Sequence, residues 1–382
     1  MKILHLSESG LPDWRIEKSA QTGSKNGHEV FFAGGKTINY DEKIFSEIYQ
    51  LNWTLSARMG LWIPWRQVKK QVKSILEKIR PDIVHAHNVY SAKMMSEFDI
   101  PFVFDNHEYW AMFSSLLDGI KQFQKPAESK TDHISSLYQN LRIKAGRSIA
   151  KRRAVRLWTK WEKELTYTRP TITVSKKIAE EFEEGNNNKK FVVPNFPMSW
   201  EVPDLKNPEF FSKISSLYAG GDGKSKITWP NRNFEGLTDV FEENDIGNLT
   251  IVGWKDQETS RVNYTEFLPR KEMYEEMSKH SIGLLPWKKH WTQCYLSPNK
   301  PYEYAHAGLL VFCTSTFDSV IENLQNNCVT FEDYTDLASK IKYYKENLDE
   351  LFEKRKKSFV FSRENLIWEK NEKKILEAYQ LC

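Results

Sequence analysis

Ten short apolar runs organise this sequence, and the spacing between them limits how they can be joined. In the N-terminal half KILHLS, HEVFFAG, DIVHAH, FVFDN and TITVS follow one another at intervals wide enough for helices between them. SSLYAG, LTIVGW, SIGLLPW, LLVFCTS and CVTFED repeat the arrangement in the C-terminal half. Such runs read as buried strands, and strands alternating with helices make a parallel sheet with crossover helices. Helices are expected at Arg15–Lys25, Gln67–Ile79, Ser136–Thr166, Phe234–Glu243, Lys271–His280, Pro298–His306 and Tyr334–Glu346. Between the halves, FVVPNFPMSWEVPDLKNP carries four prolines and no helical period, which marks a linker near Pro194–Pro208. A chain of 382 residues suits two domains. The expected fold class is α/β: two Rossmann-like doubly wound parallel-sheet domains, residues 1–200 and 201–362, facing a cleft at the carboxyl ends of their strands. A helix expected at Phe361–Gln380 makes residues 363–382 a C-terminal segment, which either caps the second domain or crosses back to the first.

The charge balance, 55 basic against 51 acidic residues and a net +4, argues against a general nucleic-acid binder. Cys294, Cys313, Cys328 and Cys382 form no C-x-x-C pair, and scattered thiols fit a reducing compartment. Met1 leads into KILHLS, too short and too quickly polar for a signal peptide, and no apolar run reaches bilayer length. A cytoplasmic protein is the expectation. The basic residues are unevenly placed, however. Ser135 to Trp161 holds eight Lys or Arg and no acid, interleaved with Leu157, Trp158 and Trp161, and LWIPWRQVKKQVK at Leu61–Lys73 is a second such patch. Basic side chains beside tryptophans fit an anionic membrane interface, which would make the protein peripheral at the cytoplasmic membrane face. The plainer reading is a solvated helix face over an ordinary core.

Several ordered segments resemble glycosyltransferase family four, the retaining GT-B enzymes. PDWRIEKSAQTGSKNGHEV is similar to the family's helix before the second strand. PDIVHAHN followed by VFDNHEYW resembles its fourth and fifth strands, and TITVSKKIAEEF followed by FVVPNFP its approach to the linker. LTIVGW, FLPRKEMYEEMSKHSIGLLPW and SPNKPYEYAHAGLLVFCTS follow the family's second-domain order. The resemblance covers nearly the whole chain. It implies a transferase that takes a sugar from a UDP- or GDP-sugar donor, with retention and without a metal or other cofactor.

The most specific piece is SPNKPYEYAHAGLLVFCTS. A diphosphate is anionic, and a helix N-terminus favours it. Ser297 and Asn299 are capping types, Pro298 suits a first turn, and Lys300 offers a point charge. Glu303, one turn on, can accept ribose hydroxyls; alternatively the segment is an ordinary capped helix with an exposed Glu. The family's second Glu, eight residues earlier, contacts the transferred sugar; that position is Tyr295 here, a departure that bears on the donor sugar and on the level of activity. His107 follows the strand FVFDN, and the family's His at that position bonds the transferred sugar. Glu108 would orient it or line the acceptor site. The alternative for His107 is a satisfied core histidine. His85 and His87 point to one face, as a metal pair would, but no third ligand is evident in the sequence.

For the diphosphate, the expected Arg beside Gly220 is missing, while Lys224, Lys226 and Arg232 are near, and Arg232 is the best candidate. The Gly220–Gly223 turn and Gly10 are weaker signals of close backbone approach to phosphate.

Three functions fit. The first is a retaining transferase acting on a glycan or lipid-linked acceptor, with no nucleic acid as partner. The second is a non-hydrolysing sugar-nucleotide epimerase. The third is a GT-B-like nucleotide-sugar-binding protein without turnover.

Overall fold

The computed structural model describes residues 1–38, 40, 43–116, 121–122, 152–153, 155–185, 188–203, 207–220 and 227–382. The chain divides into two compact units. One holds residues 1–118, 124–193 and 371–382; the other holds 119–123 and 194–370.

The first unit is built on a seven-stranded parallel sheet in the order β3-β2-β1-β4-β5-β7-β8. Its strands are β1 (Lys2–Leu6), β2 (Glu29–Gly34), β3 (Ile48–Gln50), β4 (Ile83–His87), β5 (Phe102–Asn106), β7 (Thr171–Thr173) and β8 (Lys190–Val192). Its helices are α1 (Trp14–Lys25), α2 (Leu55–Arg58), α3 (Trp62–Ile79), α4 (Asn88–Met95), α5 (Trp110–Ser115), α6 at 155–168 and α7 (Lys176–Glu180). Every residue of β4 and β5 is buried, the polar His85, His87, Asp105 and Asn106 included. Helix α1 starts where it does because Asp13 caps it. The Asp13 carboxylate accepts from the Arg15 and Ile16 amides, and Glu17 reaches back to the Asp13 amide. That cap sets Arg15 in the first turn, over the sheet.

The second unit carries a six-stranded parallel sheet, β12-β11-β9-β13-β14-β15. Its strands are β9 (Ser215–Ala219), β11 (Asn248–Val252), β12 (Val262–Thr265), β13 (Ile282–Leu285), β14 (Leu310–Thr314) and β15 (Cys328–Phe331). Around it lie α8 (Leu237–Glu243), α9 (Arg270–Met277), α10 (Lys300–His306), α11 (Asp318–Leu324), α12 (Tyr334–Glu346) and α13 (Leu348–Asn365). A short antiparallel pair joins β6 (Lys121–Gln122) to β10 (Ile227–Thr228). The two large sheets begin with one topology. In each, the first strand lies between the second and the fourth, so the order reverses beside it, and open α/β sheets bind ligands at such a switch point.

The C-terminal segment differs from the single helix read at Phe361–Gln380. Helix α13 ends at Asn365, a 3₁₀ turn spans Trp368–Asn371, and α14 (Glu372–Gln380) begins anew. No Gly or Pro interrupts Phe361–Gln380, so tertiary anchoring makes the break. The Trp368 amide donates to the Pro197 carbonyl at 2.8 Å, and its indole is fully buried. Residues from Asn371 onward group with the first unit, where α14 packs on α1 and β5. Most of the helix read at Ser136–Thr166 lies outside the described residues; its C-terminal part is α6.

Candidate functional site

At the switch point of the first sheet, strand register gathers five ionisable side chains. His5 on β1 pairs with His85 on β4, and His87 on β4 pairs with Asp105 on β5. Because side chains alternate, His85 and His87 share a face, and His107 follows two residues after Asp105. His5 Nδ1 lies 3.0 Å from His87 Nε2, and His87 Nδ1 lies 3.0 Å from His107 Nε2. This makes a continuous hydrogen-bonded chain from a core histidine to the less buried His107. Each link carries one proton, so the tautomer of His87 fixes those of its neighbours. His85 is held separately, by Asp105 Oδ2 at 3.1 Å and the Tyr379 hydroxyl of α14 at 2.7 Å.

Arg15 anchors the array. Its guanidinium donates to both Asp105 oxygens and to the Val193 carbonyl at 2.9 Å. Burial would raise the Asp105 carboxyl, but Arg15, His107 and His85 together hold it well below its usual range. Burial pushes His5 and His87 well below the usual histidine value, with neighbouring histidines adding to the effect, so both are neutral in the fold. The loop after β5 is clamped from its other side by the buried Glu162 of α6. That carboxylate accepts from Asn106 Nδ2 at 2.6 Å and from the Trp110 and Ala111 amides at 3.0 and 2.9 Å. Burial lifts its pKa to about 7 despite those bonds.

Among the described residues, two groups have metal-binding composition: His5, His85 and His87, and His87, Asp105 and His107. The structure thus supplies the third ligand that the sequence did not show. In the first group the rings stack with interplanar angles of 14–23°, so lone pairs lying in the ring planes do not converge on one point. In the second, Asp105 is already paired with Arg15, whose charge opposes a cation.

Gly10 has a reason other than phosphate approach. A Cβ there would meet the Lys36 carbonyl oxygen at 1.9 Å, so the glycine is required by backbone packing. Glu8, missed in the sequence, is buried beside it and accepts from Asn88 Nδ2 at 3.0 Å. Asn88 adopts φ +64, a conformation that asparagine tolerates better than most residues. Only the position of Glu8 just past β1 would have drawn attention to it.

At the switch point of the second sheet stands a different construction. Trp287, just past β13, is almost wholly buried, and its Nε1 donates to the Tyr218 hydroxyl of β9 at 3.2 Å. Two cations converge on its ring: Arg232 at 5.4 Å and Lys300 at 5.3 Å from the centroid. Lys300 also lies 5.7 Å from the Tyr218 ring. The loop that sets them is tied by the buried Gln293, whose Nε2 donates to the Asn231 and Lys288 carbonyls, both at 2.9 Å.

Ser297, Pro298 and Asn299 precede α10, but they do not cap it as the sequence led one to expect. Asn299 has helical dihedrals and makes no side-chain cap bond, and Pro301 is the proline of the first turn. The Ser297 hydroxyl is instead 3.1 Å from the Tyr302 hydroxyl. Glu303 is buried, not exposed, and pairs with Arg270 of α9 at 3.3 Å; Arg270 also faces Glu201 at 3.4 Å. Arg270 was not legible as a partner, because nothing in sequence spacing joins residues 33 apart. Tyr295 is buried at the end of a 3₁₀ turn. Lys224 and Lys226 lie outside the described residues.

Residues 19–196 match the model of Glycosyltransferase Family 4. Sucrose-phosphate synthase from Thermosynechococcus elongatus superposes over 100% of this chain and 98% of its own, with TM-score 0.69 and 11% identity. Anabaena HepE, solved in complex with UDP, superposes over 100% of both chains with TM-score 0.65 and 12% identity. The chain therefore has the fold of these GT-B glycosyltransferases, and its residues 19–196 are similar to family four. A further GT-B neighbour is an alpha-glucosyltransferase in complex with UDP-glucose and abasic DNA, with 14% identity, 99% of each chain covered and TM-score 0.55. No curated protein sequence matches the chain significantly. Among the described residues, no helix of this GT-B chain is long and apolar enough to cross a membrane.

Proposed function

We propose that the protein transfers a sugar from a UDP- or GDP-sugar to a glycan or lipid-linked acceptor, with retention of configuration and without a metal. The observation that carries this is the convergence of Arg232 and Lys300 on the buried Trp287 at the second sheet's switch point. A ring face attracts a cation without cancelling its charge. Two cations brought to one ring concentrate positive charge where a diphosphate would be bound. As the donor bond breaks, the same pair would stabilise charge growing on the leaving group. Glu303, fixed by Arg270, is the acceptor for ribose hydroxyls.

His107 is assigned to the transferred sugar. Its Nε2 is engaged by His87, which leaves Nδ1 as the atom for substrate. No protein nucleophile is assigned, so the acceptor attacks from the leaving-group face. The UDP of HepE, a neighbour in fold, supports a uridine donor. A cytoplasmic site at an anionic membrane face goes with a lipid-linked acceptor.

Calorimetry with UDP and GDP on the wild type, Arg232→Ala and Lys300→Ala is the first test, followed by donor turnover with and without EDTA. Nucleotide binding weakened in both variants, and turnover that survives chelation, are expected. Binding that both variants retain would remove the cation pair from the site. Binding with no turnover would leave a carrier, and interconversion of sugar nucleotides would identify an epimerase.

A further inference from the structure

We propose that the first unit carries a docking surface for an anionic lipid bilayer, with Leu55, Leu61, Trp62 and Ile63 as the inserted wedge and arginines as its rim. This deepens the membrane-side reading above by naming the surface. The basic stretch Ser135–Trp161 lies mostly outside the described residues, but its last part, on α6, is described. There the structure joins it to the second basic patch. The Arg153 guanidinium donates to the Met59 and Gly60 carbonyls, both at 3.3 Å, and Trp158 Nε1 donates to the Arg58 carbonyl at 3.3 Å. Gly60, with φ +67, turns the chain between α2 and α3 directly over Trp161; a Cβ there would lie 3.0 Å from that indole. Two segments a hundred residues apart thereby form one face.

Charge and apolarity coincide on it. From Leu51 to Leu76 there are five basic residues and no acid, and from Arg152 to Trp161 there are four basic residues and no acid. Leu55, Leu61, Trp62 and Ile63 are 72%, 43%, 70% and 63% exposed. They are not part of the apolar stripe by which α3 packs, for that stripe begins at Val68 and runs through Val72, Ile75, Leu76 and Ile79. The apolar residues at the start of α3 project, whereas those from Val68 onward are turned into the core. The Arg66 guanidinium lies 5.3 Å from the centre of the Trp62 ring, at the level where an interfacial tryptophan would meet phosphate headgroups.

A single-stranded nucleic acid would want aromatic faces for stacking, and three of the four wedge residues are aliphatic. Glu97 pairs with Lys69 and Trp65 farther along α3, but Arg66, Arg152 and Arg156 are exposed, and an aliphatic wedge with such a basic rim is complementary to an anionic bilayer.

The test is flotation of the full-length protein, without nucleotide, on phosphatidylcholine vesicles with and without phosphatidylglycerol. Binding to the anionic vesicles alone is expected. It should be released by salt, as the Debye length falls to about 3 Å at 1 M. The pair Trp62→Ser with Ile63→Ser should cut partitioning about tenfold or more. Arg66→Gln, Arg152→Gln and Arg156→Gln together should cut it about a hundredfold, as the sum of three basic contacts. All five positions are exposed, and thermal melts check that the variants fold. Equal binding to neutral vesicles, no binding at low salt, or variants that float like the wild type would overturn the proposal. So would a wild-type dimer that the Trp62 and Ile63 pair dissociates, because the face would then cover a second copy. UDP affinity is measured on the same variants and should not change. Loss of flotation leaves the donor reading standing, and absence of UDP binding in the wild type leaves the docking surface standing.

Discussion

At the switch point of the first sheet, four histidines and an aspartate are locked with Arg15 into one hydrogen-bonded array. At the switch point of the second, two cations rest on an indole. The topology beside the first strand is shared, so the difference lies in what the strands carry. The first array is paired mostly from within the protein: Asp105 has Arg15, and His87 has a histidine on either side, while the buried His5 Nε2 has no hydrogen-bond partner. Such a network is preorganised, and it depends on every member. The second site brings its two cations to one ring face, which fixes their position. Substitutions in the first region should therefore damage folding and turnover together. In the second they should damage nucleotide binding with little effect on folding.

The sharpest way to break this contrast is Asp105→Ala. It strands the buried Arg15 charge, and urea unfolding should show a loss of about 3–5 kcal/mol. A loss comparable to that of an exposed substitution would mean the array is not the structural element described.

The pH dependence gives the next largest effect. Glu162 has a folded pKa of about 7 against 4.5 unfolded, so the folded state binds its proton more tightly. Its contribution is full below about 4.5 and is lost as pH rises to about 7, to the extent of about 3 kcal/mol. Glu162→Gln should remove that part of the slope. In the second unit the sign is opposite. Burial lowers His306 to about 4, and its contribution, present above about 6.5, is lost as pH falls toward 4. His306→Gln should flatten the acid side of the stability profile. The buried histidines of the first unit act in the same direction as His306, so the two variants, and not the wild-type curve alone, separate the terms.

His107→Ala should lower turnover about 10²-fold while nucleotide affinity stays within a factor of two or so, as for a group acting on the transition state. A matched loss of affinity would place His107 in ground-state binding. Lys300→Ala should weaken UDP binding by about 1.5–3 kcal/mol with little change in unfolding, since charged hydrogen bonds carry that much. Last comes Glu303→Gln, which keeps the shape of the pair with Arg270. It should cost about 0.5–1.5 kcal/mol of nucleotide affinity for each ribose bond weakened, and unchanged calorimetry would remove Glu303 from the site.

The sequence alone determined the alternation of strands and helices, because burial on both faces demands unbroken apolar runs and nothing else in a polar chain of this kind produces them. It also determined that His85 and His87 share a face, since strand periodicity is local. It pointed to Lys300, Arg232, Glu303 and His107 by residue type and by resemblance. Tertiary structure alone decided their partners. His5 meets His87, and Arg15 meets Asp105, through strand pairing and helix packing across 82 and 90 residues. Arg270 reaches Glu303, and Trp287 gathers Arg232 and Lys300, only once the second sheet is assembled. The break after Asn365 likewise has no local cause; the Pro197 carbonyl takes the Trp368 amide and ends the helix register. Local sequence sets which conformations a segment prefers. Which buried charge meets which partner is a long-range choice, made by the desolvation cost of leaving any of them alone.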